Sequence, residues 1–285
     1  APPVEGANQN GRDWYVYFAR GLGIPTSRIR WLKDNNGAKE MIGIAVDDMA
    51  KKVQKDGKLW FVFIGHGVPA KDRKEGMLVG YDAQQNPTML YARSVSQREI
   101  LDRARAAGAK RTLAVIDACF SGQAGDGKPL APGLQPLIAV QQQTVPEGAL
   151  VLSAGKADEF AGQLPKLNRP AFRYLVLGGL RGWADTKRDG KVDAKELRDY
   201  TTEVLASLVK GRSQTPQLFG SAPNHALVTL TRPEPGPDLV AMITGRTSAP
   251  PVEAVEPLPQ PSPRRAPKNA KAQLSIETGT HISMI

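Results

Sequence analysis

The sequence predicts an α/β fold, and three observations carry that prediction. Residues 59–64 (Leu-Trp-Phe-Val-Phe-Ile) and 113–116 (Leu-Ala-Val-Ile) are short, unbroken apolar runs, as strands covered on both faces are. Segments such as 38–53 instead place apolar residues at helical spacing: Met41, Ile42, Ala45, Val46, Met49 and Val53 fall on one face. The two kinds of segment alternate along most of the chain, which indicates parallel βαβ units and an α/β sandwich.

Taken in order, residues 1–12 read as loop from their Pro, Gly and Asn content. Residues 13–21 form a helix with Trp14, Tyr17 and Phe18 toward the core, and 27–32 a short strand. The helix over 38–53 and the strand over 59–64 follow. Residues 69–74 are a polar loop, and 76–81 return as a strand. Ser94 or Ser96 caps the next helix, which runs to Gly108. Then comes the strand over 113–116. Residues 122–148, with several Gly and Pro and a Gln141-Gln142-Gln143 run, read as a mobile surface loop. Residues 149–154 are a strand and 155–170 a lysine-rich loop. Helices over 171–183 and 194–209 and a last strand over 225–230 complete this part. Ten of the 23 prolines lie between 232 and 271, so that stretch is an extended linker outside the folded unit. Residues 272–285 alternate weakly and fit either a docking strand or a remnant.

Composition bounds the function. With 285 residues and 41% hydrophobic content the chain can bury a sizeable core. Its single cysteine excludes an internal disulfide framework and is compatible with any compartment. No apolar run approaches the roughly 20 residues of a spanning helix. The net charge of +10 permits weak attraction to anionic partners. No nucleic-acid motif or zinc spacing accompanies it, so a scattered basic surface is the reading and no nucleic-acid partner is expected.

The chemistry points to two strand ends. The 113–116 run stops at Asp117, and Cys119 follows within Asp-Ala-Cys-Phe-Ser-Gly. The 59–64 run ends in Gly65-His66-Gly67, where glycines leave the backbone beside the imidazole open to close approach. In open α/β sheets reactive groups collect at the carboxyl ends of strands. Adjacent parallel strands ending in His66 and Cys119 would supply a thiol nucleophile with a local base.

These two motifs, His-Gly and Asp-Ala-Cys-Phe-Ser-Gly with His66 53 positions before Cys119 (119 − 66), resemble the caspase-like cysteine peptidases of the metacaspase, paracaspase and bacterial caspase-homologue branches. Further likeness lies in Phe172-Arg173-Tyr174-Leu175, Gly182-Trp183-Ala184-Asp185, Asp189-Gly190, Glu196-Leu197 and Arg212-Ser213-Gln214-Thr215-Pro216. The resemblance covers residues 4–230 and implies a three-layer α/β/α sandwich with a mostly parallel sheet. It implies a cysteine endopeptidase acting on protein or peptide substrates without a required cofactor. Cys119 would attack the peptide carbonyl, His66 would protonate the departing amine, and the backbone N–H groups of Gly67 and Cys119 would hold the oxyanion. Related domains open with a buried strand that residues 1–12 do not supply, so within the domain over 1–231 that part of the sheet is expected to be missing or to come from another segment or chain.

Specificity follows from the same resemblance. Asp117, two residues before the nucleophile, would attract Arg or Lys at P1, the substrate residue on the N-terminal side of the cut. A second pocket acid, usual in a Gly-Cys-x-Asn-Asp-Ala pattern, is replaced by Asn10 in Gly6-Ala-Asn-Gln-Asn10. Lys128, Lys156, Lys166 and Arg169 are then self-cleavage sites or ordinary surface charges. Residues 185–196 have the spacing of a calcium-binding EF-hand loop but carry Lys187 where an oxygen ligand belongs, which favours a structural turn over calcium. The contrasting reading is a caspase-fold module without activity, serving as a docking or regulatory scaffold.

Overall fold

The structure is a computed structural model that describes residues 4, 6–72, 74–118, 120, 122, 129–131, 134, 145–156, 159, 162, 170–209, 213–234, 236 and the backbone of 281–284. In chain order the strands are β1 (Ile29–Trp31), β2 (Leu59–Ile64), β3 (Gly67–Pro69), β4 (Gly76–Val79), β5 (Ser94–Ser96), β6 (Thr112–Asp117), β7 (Ala149–Ser153), β8 (Lys191–Asp193), β9 (Gln217–Gly220), β10 (Ala226–Thr229) and β11 (His281–Met284). The helices are α1 (Ala7–Val16), α2 (Lys39–Ala50), α3 (Pro87–Ala92), α4 (Gln97–Ala106), α5 (Ala171–Gly178) and α6 (Ala194–Leu208).

A six-stranded sheet in the order β1-β11-β2-β6-β7-β9 forms the middle layer. Every neighbouring pair in it is parallel except β7 with β9. The unbroken apolar runs of β2, β6 and β7 divide by alternation between two cores. Trp60, Val62, Leu113, Val115, Leu150 and Leu152 join α1 and α5 on one face. Leu59, Phe61, Phe63, Ala114, Ile116 and Val151 join α2 and α4 on the other. This is an α/β/α sandwich with a mostly parallel sheet, consistent with the caspase-like architecture expected. No helix among the described residues is long and apolar enough to cross a membrane.

Several elements differ from expectation. Helix α1 begins at Ala7, inside the stretch read as loop, because its Gly11 lets the helix lie against Trp31. A Cβ there would sit 2.9 Å from the indole nitrogen. The helix ends in a wider π-type turn over Tyr17–Gly21, and α5 does likewise over Gly179–Trp183, within which Gly182, at φ 122°, breaks the helical path. Ser96 caps α4 by accepting a 3.0 Å bond from the Glu99 amide, whereas Ser94 is buried in β5. Helix α3, capped by the Asn86 side chain ahead of Pro87, and strands β3, β5, β8 and β9 are additional to the elements that the sequence predicts. Strand β10 pairs with β8 in a separate two-stranded sheet and does not enter the central one.

The slot between β1 and β2 is filled by the C-terminal strand β11, parallel to both, with Ile29 opposite Ile282 and Trp60 opposite Ile282. Most of the loop over 122–148 and nearly all of the linker over 232–271 lie outside the described residues.

Lys58 ties the start of β2 to β10: its Nζ donates to the carbonyls of Ala226 (3.1 Å) and Leu227 (2.7 Å). Burial, aided by Arg111, pushes its pKa down to about 8. Below that pH the ammonium is charged in both folded and unfolded chains. Above the ordinary lysine value it is neutral in both. Between the two, the unfolded chain holds the extra proton, so rising pH favours folding. In urea unfolding at pH 7 and pH 10, wild type should gain stability relative to Lys58→Met by about 1–3 kcal/mol at the higher pH. An equal gap at both values would contradict this assignment.

Candidate active site

Strands β2 and β6 are adjacent and in parallel register, with Ile64 opposite Asp117 as the last pair. Beyond it the Gly65 amide donates to the Asp117 carbonyl at 3.3 Å, so the two chains leave the sheet side by side. His66 comes two residues after Ile64, and Cys119 two residues after Asp117. His66 is half-buried, and its carbonyl accepts a 3.0 Å bond from the Val79 amide. Gly67 then opens β3 opposite Leu78. Cys119 itself lies outside the described residues. Its neighbours Ala118 and Phe120 are buried. The Phe120 ring rests on Gly76, where a Cβ would come within 2.5 Å of a ring carbon. That close approach requires glycine.

Beside His66 a cavity of about 150 Å³ opens over the ends of β1 and β2, lined by Trp31, Phe63, Tyr81 and Asn8 among others. Asp117 does not line it.

Asp117 instead faces a buried charge cluster. Its carboxylate lies 3.1 Å from Arg173 Nη2, with side-chain exposures of 10% and 2%. The distance makes an ion pair, but the alignment is not that of a hydrogen bond, and Oδ2 of Asp117 has no hydrogen-bond partner among the described residues. Nε and Nη1 of Arg173 also lack one. Burial draws the Arg173 pKa down while Asp117 and then Asp13 oppose it. The guanidinium nonetheless stays charged at physiological pH. Asp13 and Asn10 sit three residues apart on α1, both buried, so one helix face supplies both. A Cβ on Gly6 would meet Asn10 Nδ2 at 3.3 Å and Pro170, the residue before α5, at 4.0 Å.

Sequence reasoning missed Arg173 and Asp13 as members of this cluster. A signal existed for the first: an arginine inside the otherwise apolar run Ala171-Phe-Arg173-Tyr-Leu-Val-Leu cannot reach water from that helix face. The other resembling motifs serve structure. Gln214 Nε2 donates to the Ala154 carbonyl at the end of β7, and Thr215 donates to Glu159. Of the four basic loop residues, Lys156 is exposed, while Lys128, Lys166 and Arg169 lie outside the described residues.

In the loop with EF-hand spacing the carboxylates are engaged within the chain. Asp185 accepts the amides of Asp189 and Gly190, at 3.1 and 3.0 Å. The Lys187 ammonium bonds Asp193 and reaches Glu196 at 3.5 Å. Asp193 and Glu196 close a capping box at the start of α6. Burial works to raise the Asp193 pKa, but the bonds from Lys187 and the Glu196 amide leave it lowered. Among the described residues no group of His, Cys, Asp and Glu is arranged to hold a metal ion. Asp193→Ala should cost about 1–2 kcal/mol through the lost cap, and wild type should melt at one temperature with or without millimolar calcium. A calcium-dependent rise in melting temperature would overturn the structural reading of this loop.

By sequence, no family profile and no curated protein matches the chain. Among solved structures it is similar to protein GSU0716 from Geobacter sulfurreducens, at 14% identity and a TM-score of 0.50, over 75% of this chain and 84% of that one. It is also similar to pro-sf-caspase-1, at 14% identity and a TM-score of 0.35, over 65% and 70%. At 14% identity the first of these likenesses speaks to fold alone.

Proposed function

We propose that this chain is a cysteine endopeptidase in which Cys119 is the nucleophile and His66 its acid–base partner. One observation carries the reading: β2 and β6 are neighbours in register, and each is followed after two residues by one member of the pair. Matched offsets from paired strand ends are what a thiol nucleophile and its imidazole partner on neighbouring strands would share. Gly67, next to His66, and the amide of residue 119 are the proposed oxyanion donors.

Asp117 and Asn10 are the proposed P1-binding residues. Asp13, Asp117 and Arg173 together carry a formal charge of −1 (two carboxylates against one guanidinium), so a substrate cation, Arg or Lys, would be drawn toward this end of β6 and an acidic side chain repelled. The proposed chemistry requires no metal or organic cofactor.

Hydrolysis of matched fluorogenic peptides by wild type and Cys119→Ala, with intact-mass analysis of both proteins on storage, tests the reading. Cleavage and self-processing confined to wild type would support it. Equal inactivity of both would favour a caspase-fold scaffold without catalysis.

A further inference from the structure

The charge cluster beneath Asp117 goes further than a net sign. Three elements converge there: β6 brings Asp117, α1 brings Asn10 and Asp13, and α5 brings Arg173. Arg173 is almost fully buried and paired to Asp117 through Nη2, yet its Nε and Nη1 lack hydrogen-bond partners among the described residues. Nδ2 of buried Asn10 is in the same condition. Three buried donors without acceptors among the described residues are costly unless a further group meets them. Beside Arg173 stands one acceptor, Oδ2 of Asp117, itself without a hydrogen bond among the described residues.

A substrate guanidinium or ammonium could satisfy only the acceptor. It would compete with Arg173 for the same carboxylate and lie against a like charge. A substrate carboxylate could satisfy the donors but would meet two acidic side chains. A neutral primary carboxamide satisfies both kinds of group, because its oxygen accepts from a guanidinium or amide N–H and its NH2 donates to a carboxylate.

We propose that Arg173 is the specificity-determining residue of this site: paired with Asp117, it makes the pocket admit the carboxamide side chains of Asn and Gln at P1 beside Arg and Lys, and it limits the advantage of the cation. This deepens the endopeptidase reading and rests on it. Substituting Arg173 frees the Asp117 carboxylate and removes the donors. Cations then gain and carboxamides lose.

The test compares kcat/KM on peptides that differ only at P1 (Arg, Lys, Asn, Gln, Asp). The proteins are the full chain as wild type, Cys119→Ala, Arg173→Lys, and the doubly substituted Asp13→Asn/Arg173→Met, which removes one charge of each sign so that the fold is not left with an added buried charge. In wild type the better of Asn and Gln should lie within about tenfold of Arg, and in the double variant the preference for Arg should grow by about tenfold or more. Arg173→Lys, which keeps the charge and loses the planar fork, should fall between. A wild-type preference for Arg of more than about a hundredfold, or a ratio left unchanged by both variants, overturns the proposal.

Inactivity of wild type on every peptide would sink the endopeptidase reading, and binding then decides the role of Arg173. Millimolar guanidinium ion should raise the melting temperature of the double variant and not of wild type, by entering the place Arg173 leaves beside Asp117. The absence of that difference overturns the proposal independently of catalysis.

Discussion

Cys119→Ala is expected to reduce peptide hydrolysis by about 10⁴-fold or more, and His66→Ala by a comparable factor, because members of one nucleophilic unit fail together. The expectation follows from the strand geometry. Ile64 and Asp117 close the β2–β6 ladder, so the chains carrying His66 and Cys119 leave the sheet from the same edge and in the same direction. Removal of the thiol deletes the bond-forming atom. Removal of the imidazole leaves a thiol without a base and a departing amine without a proton donor. Neither substitution should alter the melting temperature greatly, since β2 and β6 are held by their apolar faces and not by these side chains. The double variant should be no slower than either single one. Additive losses would show that the two residues do not act as a unit, and undiminished hydrolysis by Cys119→Ala would remove the proposed mechanism altogether.

Arg173→Met should lower stability by about 3–5 kcal/mol, on the order of 10 °C in melting temperature for a domain of this size. Arg173 and Asp117 are 2% and 10% exposed, so water cannot replace the lost partner. Asp13, which also acts on Arg173, would be left as a second buried carboxylate beside the first. The cost is that of stranding charge, and not the net worth of the ion pair. It should therefore shrink when Asp13→Asn is added, even though one more polar contact is disturbed. A surface pair gives the contrast: Arg98 and Asp102 on α4 are 63% and 54% exposed, and breaking their contact should cost about 0.5 kcal/mol or less. Chemical denaturation of the three variants measures the difference. A loss from Arg173→Met as small as that from Arg98→Met would contradict the burial argument.

Much of this protein is legible residue by residue. Unbroken apolar runs marked β2 and β6, because strands covered on both faces need no polar side chains. Ser94 or Ser96 marks the start of α4, and Ser96 is the one that caps it, because the first helical amides must find acceptors close in sequence. The two Gly-flanked strand ends marked the candidate site. Short edge elements were illegible for the opposite reason. Strands β8 and β9, of three and four residues, take their conformation from the partners they pair with and not from local preference. The start of α1 was hidden because Gly11, a poor helix former, is placed there for the Trp31 ring that packs on it.

The sequence by itself determined the α/β class, the order of the main strands and helices, and the strand ends on which His66 and Cys119 fall, since each depends on periodicity or on neighbours a few residues away. Only the tertiary structure decided that β11 lies between β1 and β2 and that Asp117 is paired with Arg173, 56 positions further along the chain (173 − 117). A carboxylate's electrostatic character is set by the charges within a few ångströms of it. Those charges arrive from α1 and α5, and no local pattern in the sequence says that these elements meet at the end of β6.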